Sequence, residues 1–202
     1  MDLSEAILVV LLHQPVYEED RAAASGATSE GCVTEACTER LELFGQVASA
    51  IAEVAMKGES LGARLELVAA EITVGYFESH FAVYVLKGQC TSGKFKCDLN
   101  RQGEPQAYGF GQVWHWCTGA WGAVPGSYVS IQETAQCVAT RWVGAKYRCA
   151  GALDSTGAPI DTWAGAFSGY RANRCDWPDG AKRARKFHEI RRELQNLVKQ
   201  PA

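Results

Sequence analysis

Glu78 is the residue whose sequence neighbours most suggest chemistry, in the run Tyr76-Phe77-Glu78-Ser79-His80-Phe81. A carboxyl set among aromatic rings is poorly solvated. Desolvation favours its neutral form, and a neutral carboxyl can donate a proton. Cleavage of a glycosidic bond needs such an acid on the leaving oxygen. Aromatic side chains offer flat apolar faces, and those of Trp and Tyr have polar edges, which suits sugar rings. Tyr108, Phe110, Trp114, Trp116, Trp121, Trp163 and Tyr170 supply such faces. Taken alone, Glu78 reads equally well as a helix-end glutamate turned to water.

The elements that must position these residues are helical. Ala6 to Leu12 form an apolar run preceded by Asp2 and Glu5, which are placed like a capping box and not like the basic flank of a signal peptide. Residues 18–36 read as a loop. From Thr38 to Lys57, Leu41, Phe44, Val47, Ile51 and Val54 recur at helical spacing, with Gly58 as the stop. Ser60 can cap the next helix, which is apolar around most of its girth and so reads as a buried central helix. It carries Glu71 and Glu78, seven residues apart and on nearly one face. The better reading of Glu71 is a satisfied structural group, about 10 Å along the helix from Glu78. Residues 87–107 lack periodicity and read as a long loop. Gly109 and Gly111, among aromatics, suggest a tight turn or a close backbone approach to a ligand. Further helices are expected over 131–142, from Asp161 or Thr162 through Gly169, and over 179–199. The fold class is mainly α, with a small irregular lobe at 87–112 and no convincing series of strands.

With 202 residues the chain suits one domain, or one domain with an appendage, and 47% apolar residues can fill a sizeable core. A net charge of −3 does not suggest a polyanion binder such as a nucleic-acid protein. No apolar run reaches the ~18 residues of a membrane span. Eight cysteines favour a site of action outside a reducing cytosol. Cys32 and Cys37, and Cys90 and Cys97, flank short loops that local bridges would pin. Cys137 and Cys149 leave buried free thiols open as an alternative. With no CxxC pair and no His at ligand spacing, a zinc site is not expected. His80 and His115 lack an identifiable acidic or cysteine partner and read as non-catalytic.

The order of four pieces adds to this: Glu78-Ser79-His80-Phe81, the long polar loop, Ala107-Tyr108-Gly109-Phe110-Gly111-Gln112-Val113, and the segment Trp163 to Tyr170. Over residues 60–195 it resembles the lysozyme-like superfamily of soluble lytic transglycosylases and goose-type lysozymes. That resemblance implies a lysozyme-like helical domain at 58–202, with the helices and linker of 1–57 packed on it. It implies a cofactor-free, metal-free enzyme that cleaves peptidoglycan between N-acetylmuramic acid and N-acetylglucosamine, in the periplasm, the cell wall or a phage virion. Glu78 would be the catalytic acid, Ser79 would orient it or touch substrate, and Tyr108, Gln112 and Tyr170 would contact the glycan. If a second carboxylate held a water, hydrolysis would replace anhydro-product formation. Asp98 and Glu104, in the loop, are the candidates. The chain departs from the family in its long loop, in lacking the Asn of an Ala-Tyr-Asn motif, and in its first 55 residues. A phage muramidase and an inactive glycan-binding module on the same fold are the alternatives, and a helical interaction protein with chance motif matches is a third. The basic helix with Lys182, Arg183, Arg185, Lys186, Arg191 and Arg192 reads as a solvated face, or as a grip on anionic envelope polymers.

Overall fold

The computed structural model describes residues 1–16, 20–21, 25–28, 31–94, 96–114, 117 and 130–199. The chain is mainly helical. Among the described residues there are seven helices: α1 (Leu3–His13), α2 (Glu35–Ala55), α3 (Leu61–Glu78), α4 (Val83–Leu86), α5 (Ile131–Cys149), α6 (Thr162–Ala172) and α7 (Gly180–Lys199). Two hairpins of two-residue strands accompany them: β1 (Ala27–Thr28) with β2 (Gly31–Cys32), and β3 (Ala107–Tyr108) with β4 (Val113–Trp114).

Side-chain caps set where the helices begin. Asp2 and Glu5 form the expected capping box. Ser60 accepts from the Ala63 amide, and Asp161 accepts from the amides of Trp163 and Ala164. Each supplies an acceptor for amides that the first turn leaves without partners. Ser130 and Glu133 form a second box. The helix that follows runs to Cys149, past the expected end at Trp142, because Ala145 and Cys149 continue the face of Val138 and Trp142. Gly58 is not left-handed, unlike the usual glycine stop; its carbonyl instead accepts from Arg64 Nε at 3.0 Å.

Helix α3 is central, as its pattern indicates. Every residue from Val68 to Gly75 is buried. It packs against α2, α5 and α7. Helices α5, α6 and α7 pack on one another in sequence, while α1 lies on α2 and α7. Buried side chains of α1 and α2 belong to the same apolar core as those of α3, α5, α6 and α7.

Four disulfides join Cys32–Cys37, Cys90–Cys97, Cys117–Cys137 and Cys149–Cys175. The two local bridges are as expected. Cys137 and Cys149 are not free thiols: they tie α5 to the segments on either side. Cross-links of this density belong to chains that work in oxidising surroundings. Among the described residues no helix is long and apolar enough to cross a membrane.

Glu71 departs from expectation. It is fully buried, and neither carboxyl oxygen has a hydrogen-bond partner among the described residues. It is therefore not a satisfied group, and burial pushes its pKa well above the usual 4.5. A folded-state pKa raised above the unfolded one favours the folded state most at low pH. That contribution is complete below the unfolded value near 4.5 and is lost as pH rises towards the folded value. Glu71→Gln removes the ionisation. Urea unfolding at pH 5 and at pH 8 is expected to show the variant gaining on the wild type by about 1–3 kcal/mol at the higher pH. An equal difference at both pH values would contradict the assignment.

Candidate active site

The C-terminus of α3 delivers Glu78 into a cavity of about 390 Å³ lined by Phe77, Glu78, Lys96, Cys97, Asp98, Gln112, Arg171, Asp179 and Arg183. The backbone that leaves the helix there is unusual. Ser79 is fully buried; its hydroxyl donates to the Gly75 carbonyl and accepts from the Phe81 amide. His80 and Phe81 then adopt φ of 53° and 52°, a left-handed conformation costly for residues with side chains. The turn sends the Phe81 ring back onto α3, where only glycine fits: a Cβ on Gly75 would lie 2.2 Å from Phe81 Cζ. Phe81 in turn stacks on Phe110, with centroids 5.6 Å apart.

Phe110 belongs to the β3–β4 hairpin, whose tip carries Gln112. Gly109 and Gly111 permit a close backbone approach, not to a ligand but to α5. Added Cβ atoms there would meet Thr134 Oγ1 at 2.1 Å and Val138 Cγ2 at 2.2 Å. The buried Tyr170 hydroxyl donates to the Gly111 carbonyl at 3.1 Å. Gln112, at φ 44°, accepts from the Asp98 amide and donates to the Gly109 carbonyl. Two points thus fix Gln112, the core contact of Phe110 and the tether from Tyr170.

Glu78 is not enclosed in an apolar shell. Its carboxyl is 12% exposed and accepts a 2.6 Å hydrogen bond from Arg183 Nη1. Arg171 Nε lies 4.0 Å away. Lys96 donates to the Phe77 carbonyl at the same helix end. Burial pushes the Lys96 pKa down, with Glu78 opposing that and Arg183 adding to it. The Arg183 guanidinium also stands 4.8 Å from the Phe77 ring centroid. Arg183, which residue type alone places on a solvated face or a grip on envelope polymers, falls in phase with Phe187, Ile190 and Leu194 on the buried side of α7. That phase was the available signal. Arg171, Lys96 and Asp179 carried none.

Of the expected site residues, Glu78, Gln112 and Asp98 meet in the cavity. Ser79, Tyr108 and Tyr170 do not line it. Ser79 holds the turn behind Glu78. The Tyr108 hydroxyl donates to the Pro105 carbonyl. Tyr170 is 4% exposed, and burial raises its pKa, with Glu78 and Glu71 adding to the rise. Ser79 and Tyr170 therefore position the site without being open to a ligand. Asp98 accepts from the Gln106 amide group. Glu104 is exposed and bonded to Asn100. His80 stacks on Tyr76. Phe110 and Trp163 pack into the core, and among the described residues the aromatic ring that lines the cavity is Phe77. His115, Trp116, Trp121 and the Trp114 side chain lie outside the described residues.

A larger hollow, about 670 Å³, lies between α2 and the start of α5; its titratable lining groups are Glu42 and Glu53. The Glu78 cavity is the better candidate because it gathers nearly buried charges of both signs, which a fold seldom assembles without use. This chain matches no protein-family model, no curated protein and no solved structure.

The ion pair governs which substitutions the fold tolerates. In Glu78→Gln the amide oxygen still accepts from Arg183. In Glu78→Ala a guanidinium only 6% exposed loses its partner, which typically costs about 3–5 kcal/mol. Thermal melts are expected to place the alanine variant well below the glutamine variant. Coincident melts would show that the pair does not matter to the fold.

Proposed function

We propose that this chain has a lysozyme-like fold and cleaves peptidoglycan glycan strands between N-acetylmuramic acid and N-acetylglucosamine, with Glu78 as the catalytic acid. The observation that carries the reading is the meeting of Glu78 and Gln112 in one cavity. They lie in separate elements, yet motif order alone had paired them as acid and glycan-binding amide.

Glu78 protonates the glycosidic oxygen between the two sugars. The substrate's acetamido group stabilises the developing cation. The Glu78 carboxylate then takes the proton of the muramoyl 6-hydroxyl, whose oxygen closes on the anomeric carbon as an anhydro product. Gln112 presents its amide to the strand. Lytic transglycosylation of this kind needs one carboxyl group and no cofactor. Asp98 lines the same cavity, which favours a second reading, a hydrolytic muramidase in which Asp98 holds the attacking water. The site of action would be extracytoplasmic, consistent with the four disulfides. The basic residues of α7 divide between two roles: Arg183 faces the core, whereas Lys182, Arg185 and Arg192 are exposed and available to anionic envelope polymers.

Purified cell walls should lose turbidity with the wild type. Glu78→Gln should slow clearing by at least about a hundredfold, the usual contribution of a general acid, with the melting curve preserved. Mass spectrometry of the released muropeptides separates anhydro from reducing ends. Undiminished clearing by a folded Glu78→Gln would overturn the proposal.

A further inference from the structure

Three cations crowd the inner end of the cavity around one carboxylate. Arg183 bonds Glu78, Arg171 stands at 4.0 Å from it, and Lys96 is close enough for Glu78 and Arg183 to act on its charge. The other acids of the lining, Asp98 and Asp179, are exposed to solvent, and Asp98 is already engaged with Gln106. Solvent screens such charges more than it screens a nearly buried pair. The two acids that could offset Lys96 and Arg171 thus stand open to solvent, as Arg171 itself does.

Two further features suit the cavity to an anion. Arg183 is 6% exposed on its side chain, yet its Nε is buried with no hydrogen-bond partner among the described residues. A guanidinium presents a fork suited to two-point recognition of a carboxylate, and here part of it is unused. Arg171, 57% exposed, makes no hydrogen bond among the described residues and reaches the cavity freely. The arrangement also poses a chemical difficulty. One Glu78 carboxyl oxygen is engaged by Arg183, and so is not open to a leaving oxygen while that pair stands.

We propose that Lys96, Arg171 and Arg183 form a subsite for a carboxylate carried by the substrate, and that this carboxylate draws Arg183 away from Glu78 when the strand binds. The proposal rests on the glycan-cleaving reading of the same cavity. Exchange of one anion for another keeps the buried guanidinium neutralised throughout, and it opens the Glu78 carboxyl to the glycosidic oxygen. Strands lacking acidic substituents cannot make the exchange. The subsite thus selects acidic glycans over neutral ones of equal length. The carboxylate comes from one of two sources: the lactyl group of a muramic acid bare of peptide, or the peptide stem.

The test compares three oligomers of matched length: a neutral chito-oligosaccharide, muramic-acid strands stripped of peptide, and strands with intact stems. Calorimetric titration and cleavage rates are measured for the wild type, Arg171→Gln and Arg171→Lys. An acidic strand is expected to bind the wild type about tenfold more tightly than the neutral one, the scale of one charge-assisted contact. Arg171→Gln should remove most of that preference while lowering neutral binding by a smaller factor, and Arg171→Lys should restore part of it. Which acidic strand loses affinity in Arg171→Gln identifies the carboxylate. Equal binding of all three oligomers, or an equal loss for all in Arg171→Gln, overturns the subsite, whether or not the strands are cleaved. Acidic preference without any cleavage leaves the subsite standing and removes the enzymatic reading. No binding of any oligomer removes both.

Discussion

A guanidinium taken out of water must keep an anion beside it, and the contact between Arg183 and Glu78 meets that requirement. Arg183 shares the face of α7 that carries Phe187, Ile190 and Leu194, so burying that stripe against α3 buries the charge too. Glu78 is the carboxyl within reach, at the last turn of α3. The apolar stripe and the ion pair thus demand the same register of α7 on α3. Glu71, on the same helix, shows what a carboxyl faces without such a partner: full burial, no hydrogen bond and a strongly raised pKa. One helix therefore carries two carboxyls in opposite circumstances, one paired with a cation and one driven towards neutrality by desolvation.

From that pair the rest of the cavity follows through packing. The sharp turn at Ser79, His80 and Phe81 folds one ring over Gly75 and onto Phe110. Phe110 anchors the hairpin, and Tyr170 holds the Gly111 carbonyl behind it. Gln112 is thereby fixed relative to Glu78 by buried contacts as well as by its own side-chain bonds to Asp98 and Gly109. The remaining wall comes from the segment that the Cys90–Cys97 bridge pins at Cys97, between Lys96 and Asp98. Positioning is spread over the core, while the groups open to a ligand are few and polar.

Much of the helical frame was legible in the sequence because burial imposes a period and capping imposes residue types. Asp2, Ser60 and Asp161 marked helix starts, and the all-round apolar pattern of residues 61–78 marked the central helix. The four-residue helix α4 was not legible, being shorter than the period needed to detect it. Nor were the left-handed conformations of His80 and Phe81, since neither residue type signals one. Arg183 was misread because residue type was weighed above phase. Tyr108 was expected to contact substrate, but the hairpin register turns its hydroxyl to Pro105. The convergence of Glu78 and Gln112 came from motif order. No periodicity foretells that a loop residue such as Lys96 and two arginines of different helices will join them.

On the proposed reading, glycan strands enter the cavity at Glu78. Titration of a short peptidoglycan glycan fragment into isotopically labelled protein, followed by NMR, tests it most directly. Shifts should concentrate at Glu78, Lys96, Gln112, Arg171 and Arg183. Shifts confined to the hollow formed by Glu42, Ser49, Glu53 and Gln132, or no shifts at a saturating concentration, would contradict it.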